Sequence, residues 1–482
     1  MRTRRRRFGV DGRRWSVAVG AVVLAFGVIA LARARAPDPA AALGFVVGGR
    51  SAGTAEGPAR LAVHTPEMDG FVALTQSAVI GNGVRDLYAE IRLEAHGEGQ
   101  TTRRPVAIAV ALDTSGSMSG EKIIEARRSV RELIARMRPT DRVALVTYDH
   151  RARLLSPLML VADLRAALPM LLQQIQAGGG TNIPGGLELA ARSLANAPGG
   201  MVRRLVLISD GQDGSGIELS SVSQSLGSRA REGVTTSALG VGVDYDERWL
   251  STVADAGRGN YAFLAGGAEL TQFLTRELEQ ASSTVADQTE LALTLPAGWR
   301  VAESHGAAVS PGSTTIPLGS LFAGERRRVT LRLEAVAGAS GSRSEIGVAL
   351  RYRALVSEVD RNLPLGRLSV AMVGSQSEVA ASMDVTLHAE AVAAHVDAQQ
   401  ALAVDAWREG RREEAARISR GNVLTLQQWG AAAPAAARGI ALRQQAVERD
   451  LENFQQLDAH SQAGRAYGLG SNSVRRARLE AF

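Results

Sequence analysis

Five residues in three separated fragments carry side-chain oxygens that together could bind one divalent cation. They are Asp113, Ser115, Ser117, Thr181 and Asp210. The first three follow an apolar run, residues 106–112, that predicts a buried parallel strand. Thr181 follows three consecutive glycines, and Asp210 follows a second strand-like run, residues 205–209. Because the loops after parallel strands share the carboxyl edge of an open α/β sheet, we expect the five side chains to converge there.

The types of side chain restrict the choice of metal. Carboxylate and hydroxyl oxygens suit Mg²⁺, Mn²⁺ or Ca²⁺. The chain has no cysteine, and none of its seven histidines lies in these fragments, which argues against zinc or copper. Two carboxylates balance the double charge of the ion, and the three hydroxyls are neutral. The cation would therefore remain electrophilic, with room for a carboxylate oxygen from a partner protein.

The three fragments resemble the metal-ion-dependent adhesion site of the von Willebrand factor type A (VWA) family, whose pattern is D-x-S-x-S, then Thr, then Asp. The resemblance covers about residues 104–281, including the segments 141–146, 209–212 and 240–243. Together with the N-terminal segment considered below, it resembles a bacterial, membrane-anchored member of the family. The resemblance implies that the two serines and the threonine touch the metal. The two aspartates would touch it directly or through water.

A second interpretation of the same residues needs no metal. Asp, Ser and Thr often cap helices, and Asp113 or Ser119 could cap the helix predicted over residues 121–137. Family members that keep the fold without the metal would fit this interpretation. Turn formation or helix capping is also expected of three further acidic residues near strand ends, Asp213, Asp244 and Asp246.

The first 36 residues predict a signal-anchor or signal peptide. Seven arginines precede an uncharged run of 18 residues, 15–32, which is just long enough to span a bilayer. The arginines predict a single-pass protein of the inner or cytoplasmic membrane, with its N-terminus inside and its bulk outside, periplasmic or extracellular. The alternative is cleavage after Ala30-Leu31-Ala32 and secretion.

The basic balance of the chain does not indicate nucleic-acid binding. Its net charge is +6, but residues 1–36 hold nine arginines and one aspartate. The rest of the chain carries 46 basic and 48 acidic side chains, a net charge of −2. The expected partners are therefore a protein that presents an acidic residue and a membrane that receives the N-terminal segment.

Changes in hydrophobic periodicity predict the fold class. Strand–helix alternation indicates an α/β, doubly wound, mostly parallel sheet, and alternating runs on either side indicate a β-sandwich into which that sheet is inserted. A helical region follows. The predicted segments are 1–36 (signal-anchor or signal peptide), 37–60 (linker), 61–103 (first sandwich strands), 104–283 (VWA domain), 284–378 (rest of the sandwich) and 384–482 (helical region).

Within the α/β segment the pattern predicts particular elements. The predicted strands are 106–112, 142–148, 204–209, 235–241 and 260–264, with a short edge strand at 151–155. The predicted helices are 121–137, 161–176, 185–196, 217–232, 246–256 and 267–281. In the C-terminal region, three or four helices are expected to break near Gly410, 430–434 and Gly464.

These features predict a divalent-cation-dependent adhesion or scaffold module rather than an enzyme. The segment 116–122 lacks the glycine spacing of a phosphate loop, and no histidine in the metal fragments could serve as a base. The alternative function is that of a cytoplasmic cochaperone working with an AAA+ ATPase. The arginine-flanked N-terminus favours the first function.

Overall fold

The computed structural model describes residues 59–96, 104–264, 267–310 and 312–480. All of them belong to one unit, Ala55–Phe482. The predicted targeting segment, residues 1–36, lies outside the described residues, as does nearly all of the predicted linker.

The central α/β layer contains six strands and six helices. The strands that precede it are β1 (Arg60–His64), β2 (Met68–Leu74), β3 (Ala78–Ile80) and β4 (Gly83–Ala95). The strands of the layer are β5 (Val106–Asp113), β6 (Arg142–Tyr148), β7 (Ala152–Leu160), β8 (Val202–Ser209), β9 (Val234–Val241) and β10 (Arg258–Leu264). Its helices are α1 (Glu121–Arg136), α2 (Val161–Gln173), α3 (Ile183–Leu194), α4 (Leu219–Arg231), α5 (Glu247–Ala256) and α6 (Gly267–Ser282).

The central sheet has the order β10-β9-β8-β5-β6-β7. Five strands are parallel, and β7 pairs antiparallel with β6 at one edge. All eight residues of β5 are buried, because helices cover both faces of this central strand. The predicted strands and helices agree with the observed ones to within three residues, except that the edge strand β7 extends to Leu160. The predicted α/β fold class is confirmed.

The remaining strands form two five-stranded sheets around a second core. They are strands β1 to β4 together with β11 (Thr284–Thr294), β12 (Arg300–His305), β13 (Thr315–Phe322), β14 (Arg326–Ala337), β15 (Arg343–Ala354) and β16 (Val359–Val373). The sheet orders are β1-β2-β4-β14-β12 and β13-β11-β15-β16-β3. Each sheet thus contains strands from both sides of the α/β layer. The layer is inserted into a β-sandwich, as predicted.

A buried ion pair joins a strand that precedes the α/β layer to a strand that follows it. Glu90 lies on β4 and Arg328 on β14, and both side chains are almost completely buried. Arg328 donates from Nε and Nη2 to the two carboxylate oxygens of Glu90, each at 2.9 Å. Thr330 donates to the same carboxylate at 2.5 Å. This arrangement satisfies the charges that the antiparallel pairing of β4 and β14 buries.

Helices form the C-terminal region. They are α7 (Gln376–Ala381), α8 (Val385–Arg408), α9 (Arg412–Ala432), α10 (Ala437–Gln456) and α11 (Gln462–Glu480). Helix α8 packs against β4, β12 and β14 of the sandwich, as expected of a bundle on that layer. The region also contacts the α/β layer, because Leu469 joins its core and Arg465 lies 3.3 Å from Asp244.

The predicted location in a membrane needs correction. Among residues 59–96, 104–264, 267–310 and 312–480, no helix is both long and apolar enough to cross a bilayer. The longest, α8, carries four charged residues, Glu390, Asp397, Asp405 and Arg408. The prediction of a single-pass location is therefore wrong for the described part of the chain, and the expected span, residues 15–32, lies outside it.

Candidate metal centre

Two neighbouring parallel strands bring the two aspartates of the predicted site together. Asp113 is the last residue of β5, and Asp210 directly follows β8. The strands pair in parallel with Leu112 opposite Ile208, so both chains leave the sheet at the same edge. Both carboxylates are buried.

The serines link the two carboxylates through hydrogen bonds. The backbone N–H of Ser115 donates to Asp113 Oδ1 at 2.8 Å, and Ser209 Oγ donates to Asp113 Oδ2 at 2.8 Å. The Ser115 and Ser117 hydroxyls lie 3.0 Å apart, and Ser117 Oγ donates to Asp210 Oδ1 at 2.7 Å. Four of the five predicted residues therefore form one continuous polar network.

Backbone contacts bring Thr181, the fifth residue, to the same edge. The N–H of Gly116 donates to Gly179 O at 3.0 Å, which holds the loop before Thr181 against the serine loop. A Cβ added to Gly211 would lie 3.5 Å from Ser117 Oγ and 3.6 Å from Thr181 Oγ1. The two hydroxyls thus face the same point beside Asp210.

The surroundings of Asp113 disfavour its ionised form. Burial raises the pKa of Asp113, hydrogen bonds from Ser115 and Ser209 lower it, and the nearby charge of Asp210 raises it further. A divalent cation between the aspartates would offset both desolvation and mutual repulsion. Ser117 is exposed and Thr181 is half-buried, so the network is open to solvent on one side.

Besides Ser209, the structure adds two residues that the sequence analysis did not place here. Lys122, in the first turn of α1, donates from Nζ to Asp210 Oδ2. It is the only lysine in the chain, a signal in the sequence that could have drawn attention to it. His150 is exposed at the rim, where its Nδ1 lies 3.0 Å from the position of a Cβ on Gly179. No local motif distinguishes this histidine.

The three other acidic residues near strand ends have separate contacts. Asp246 caps α5 by accepting from the N–H of Trp249 at 3.0 Å. Asp213 accepts from the N–H of Ile183 at 3.0 Å. Asp244 lies beside Arg465 of α11. These contacts are those of caps, turns and ion pairs.

The donor set fits a hard divalent cation. The network offers two carboxylates and three hydroxyls, all of them oxygen donors, and an open side toward solvent. Asp113, Ser115, Ser117, Thr181 and Asp210 are the residues that would hold the ion.

Comparison with known proteins supports a VWA domain in the α/β layer. Residues 107–276 match the family model of the von Willebrand factor type A domain. The chain is 32% identical over 193 residues to the uncharacterized protein YfbK of Escherichia coli (strain K12), covering 39% of this chain and 33% of that protein. It is 27% identical over 192 residues to inter-alpha-trypsin inhibitor heavy chain H2 of Sus scrofa, covering 37% and 20%. The chain thus spans a third or less of the length of these relatives.

Solved structures extend the similarity beyond the α/β layer, at the level of the fold alone. A von Willebrand factor type A protein from Catenulispora acidiphila aligns with a TM-score of 0.64 and 17% identity, covering 85% of this chain and 98% of that one. The ArnB paralog VWA2 from Sulfolobus acidocaldarius aligns with a TM-score of 0.60 and 16% identity, covering 86% and 98%. Because they cover 85% and 86% of this chain, these alignments include most of the sandwich and the C-terminal helices as well as the α/β layer.

Proposed function

We propose that the chain is a protein-binding module whose affinity depends on a divalent cation. Mg²⁺ is the proposed ion, with Mn²⁺ or Ca²⁺ as alternatives. The observation that carries the proposal is the hydrogen-bonded path from buried Asp113 through Ser115 and exposed Ser117 to buried Asp210. Domains of the matched family are generally protein-interaction modules, which agrees with this role.

In the proposed mechanism, the partner supplies the last ligand of the cation. Two carboxylates balance the ionic charge, and the hydroxyls of Ser115, Ser117 and Thr181 add neutral oxygens. A partner Asp or Glu would then bind from the solvent side, where Ser117 is exposed. One such contact does not make a stable complex, because specific interfaces bury roughly 1,200–2,000 Å² in total. The surrounding loops at this sheet edge would supply the remaining area.

The proposal is a binding role rather than catalysis. Hydrolysis at a metal centre generally needs a bound water and a base beside it. His150 is exposed at the rim, and its Nδ1 lies 3.1 Å from Asp149 Oδ1 rather than beside the five oxygens. Replacing His150 by alanine should therefore leave cation and carboxylate binding unchanged.

Calorimetry with Mn²⁺ and Mg²⁺ on the full chain tests cation binding. Asp113→Ala and Thr181→Ala should abolish or strongly weaken it. Asp246→Asn is the matched control, because this aspartate lies in the loop after the neighbouring strand β9 but caps α5. Loss of binding in the control, or binding of equal strength in Asp113→Ala, would contradict the proposed ligand set.

A small carboxylate tests whether the bound cation has an open position. Water-proton relaxation of bound Mn²⁺ should fall when acetate is added, because acetate displaces a metal-bound water. The same addition should have no effect on Thr181→Ala at a Mn²⁺ concentration where that variant binds no ion. Unchanged relaxation in the wild-type protein would mean that the cation is closed to external carboxylates, and the adhesion role would then fail.

A further inference from the structure

A group of side chains of the types that ligate metals lies far in sequence from the candidate metal centre of the α/β layer, called the VWA site from here on. The group lies between the sandwich and the helical region. Glu303 and His305 are two residues apart on β12, so both side chains point to the same face of this edge strand. His395 comes from α8, which packs across that face. The three potential ligand atoms all lie within 4.8 Å of one another.

Distances within the group are close to those of a coordination shell. His395 Nδ1 lies 2.9 Å from Glu303 Oε2, and His305 Nε2 lies 3.6 Å from the same oxygen. Zinc takes nitrogen and oxygen ligands at about 2.0–2.2 Å in a tetrahedron, which separates neighbouring ligand atoms by about 3.3 Å. The two separations from Glu303 Oε2 fall on either side of that value.

Two buried nitrogens in the group have no hydrogen-bond partner. They are Nε2 of His305 and Nδ1 of His395. The His305 side chain is 7% exposed, and its unpartnered nitrogen faces Glu303 Oε2. His395 Nδ1 is close to that oxygen without the geometry of a hydrogen bond. Unsatisfied buried polar atoms are costly, and a metal ion between these three atoms would satisfy both nitrogens at once.

The surroundings orient the carboxylate and balance the charge. Arg332 Nη2 donates to Glu303 Oε1 at 2.6 Å, which leaves Oε2 to face the two imidazoles. Arg332 Nη1 donates to Asp86 Oδ1 at 2.7 Å. Glu303, Asp86 and Arg332 together carry a net charge of −1. Such an outer contact to a ligating carboxylate is common at protein metal sites.

We propose that Glu303, His305 and His395 form a second metal site, selective for zinc. Two imidazoles and one carboxylate are a ligand set typical of zinc with a fourth position open, whereas Mg²⁺ and Ca²⁺ prefer oxygen alone. His305 also lines a cavity of about 360 Å³ where the α/β layer, the sandwich and the helices meet. Bound zinc would tie α8 to the edge strand of the sandwich. This proposal is independent of the function proposed for the VWA site.

The experiment uses untagged full-length Asp113→Ala protein, dialysed against EDTA, so that zinc at the VWA site does not contribute. Calorimetry with ZnCl₂ should show one zinc ion bound per chain of this parent protein. A second substitution in the parent, His395→Gln, should weaken zinc binding at least 30-fold. His388→Gln is the matched control, because it lies two turns away on the same helix and also packs against Tyr88. This control should bind zinc like its parent.

X-ray absorption of the zinc-loaded parent protein gives a readout that needs no ligand variant. It should show two imidazole ligands together with oxygen. Glu303→Gln provides a second variant if His395→Gln fails to fold by circular dichroism. A parent that binds no zinc, an all-oxygen shell, or unchanged zinc affinity in a folded ligand variant would each overturn the proposal. None of these outcomes bears on Mg²⁺ binding by the wild-type VWA site.

Discussion

Lys122 forms an ion pair with Asp210, so both oxygens of this carboxylate already have donors. Lys122 Nζ donates to Oδ2, and Ser117 Oγ donates to Oδ1 at 2.7 Å. The lysine side chain is about one-third exposed, whereas the aspartate is fully buried. A cation that binds Asp210 would therefore meet a positive charge already in place, which can withdraw toward solvent.

Replacing this lysine should strengthen cation binding. Lys122→Met keeps the aliphatic length and removes the charge, and Lys122→Arg keeps the charge. A unit charge about 5 Å from a divalent ion contributes roughly 1–2 kcal/mol of repulsion even in a water-like medium. We expect about tenfold higher Mg²⁺ affinity for Lys122→Met by calorimetry and little change for Lys122→Arg. Weaker binding by Lys122→Met would mean that the lysine orients Asp210 instead of competing with the ion.

The sandwich should be far more sensitive to its buried ion pair than to an exposed one. Arg328→Met removes the two-point partner of buried Glu90 and leaves Arg92 Nε, 3.4 Å away, as a cation beside it. Breaking a buried ion pair typically costs about 3–5 kcal/mol. Arg367→Met is the control, since Arg367 pairs with Glu345 at 2.8 Å on the exposed surface. Such pairs contribute about 0–1 kcal/mol. Urea denaturation measures both; equal losses would contradict a special role for Glu90–Arg328 in joining β4 to β14.

The elements and the candidate VWA site were predictable because their signals are local. An apolar run followed by Asp113, Ser115 and Ser117 places three oxygens after one buried strand. Alternating runs on both sides of the α/β layer likewise predicted a divided sandwich. Local spacing does not reveal contacts between side chains that are distant in sequence and meet only through tertiary packing. Lys122 and Asp210 are 88 residues apart, and Glu303 meets His395 only because α8 crosses β12.

One helix break shows how packing overrides a local signal. Glycine often ends helices, which predicted a break near Gly464. The chain instead turns between Gln456 and Gln462, and Gly464 lies in the first turn of α11. A Cβ at Gly464 would lie 2.0 Å from the carbonyl oxygen of Asp458. Glycine is therefore needed at this position for close approach to the turn, and it does not end the helix.

Acid should destabilise the fold through a half-buried histidine, His388. His388 lies 3.0 Å from Thr75 Oγ1, and burial lowers its pKa to about 4. Its pKa in the unfolded chain is about 6.5. Between these values the unfolded state binds a proton that the folded state does not, so the free energy of unfolding falls as pH decreases from about 6.5 to about 4. From pH 7.0 to 4.5 this residue should account for a loss of about 2–3 kcal/mol.

His388→Gln should remove that contribution and flatten the pH dependence. Urea denaturation of wild type and variant at pH 7.0 and 4.5 gives the two differences to compare. His305, whose pKa burial also lowers to about 4, remains in the variant, so some acid sensitivity should persist. Identical losses in the two proteins would show that His388 does not take up a proton on unfolding.

The carboxylate of Asp113 should lower the stability of the ion-free fold while it is needed for cation binding. Asp113→Asn tests both effects. Burial raises the pKa of Asp113, which means that keeping this carboxylate ionised in the fold is unfavourable. Asparagine keeps the shape without the charge, and its oxygen can still accept from the N–H of Ser115. In EDTA we therefore expect a higher thermal midpoint for Asp113→Asn than for wild type. In Mg²⁺ the order should reverse, because an ion at one hundred times its dissociation constant stabilises the folded wild-type protein by about 2.7 kcal/mol.

Asp246→Asn should respond to Mg²⁺ like wild type, since Asp246 caps α5. A midpoint of wild type that is the same in EDTA and in saturating Mg²⁺ would show that the five oxygens do not hold a cation.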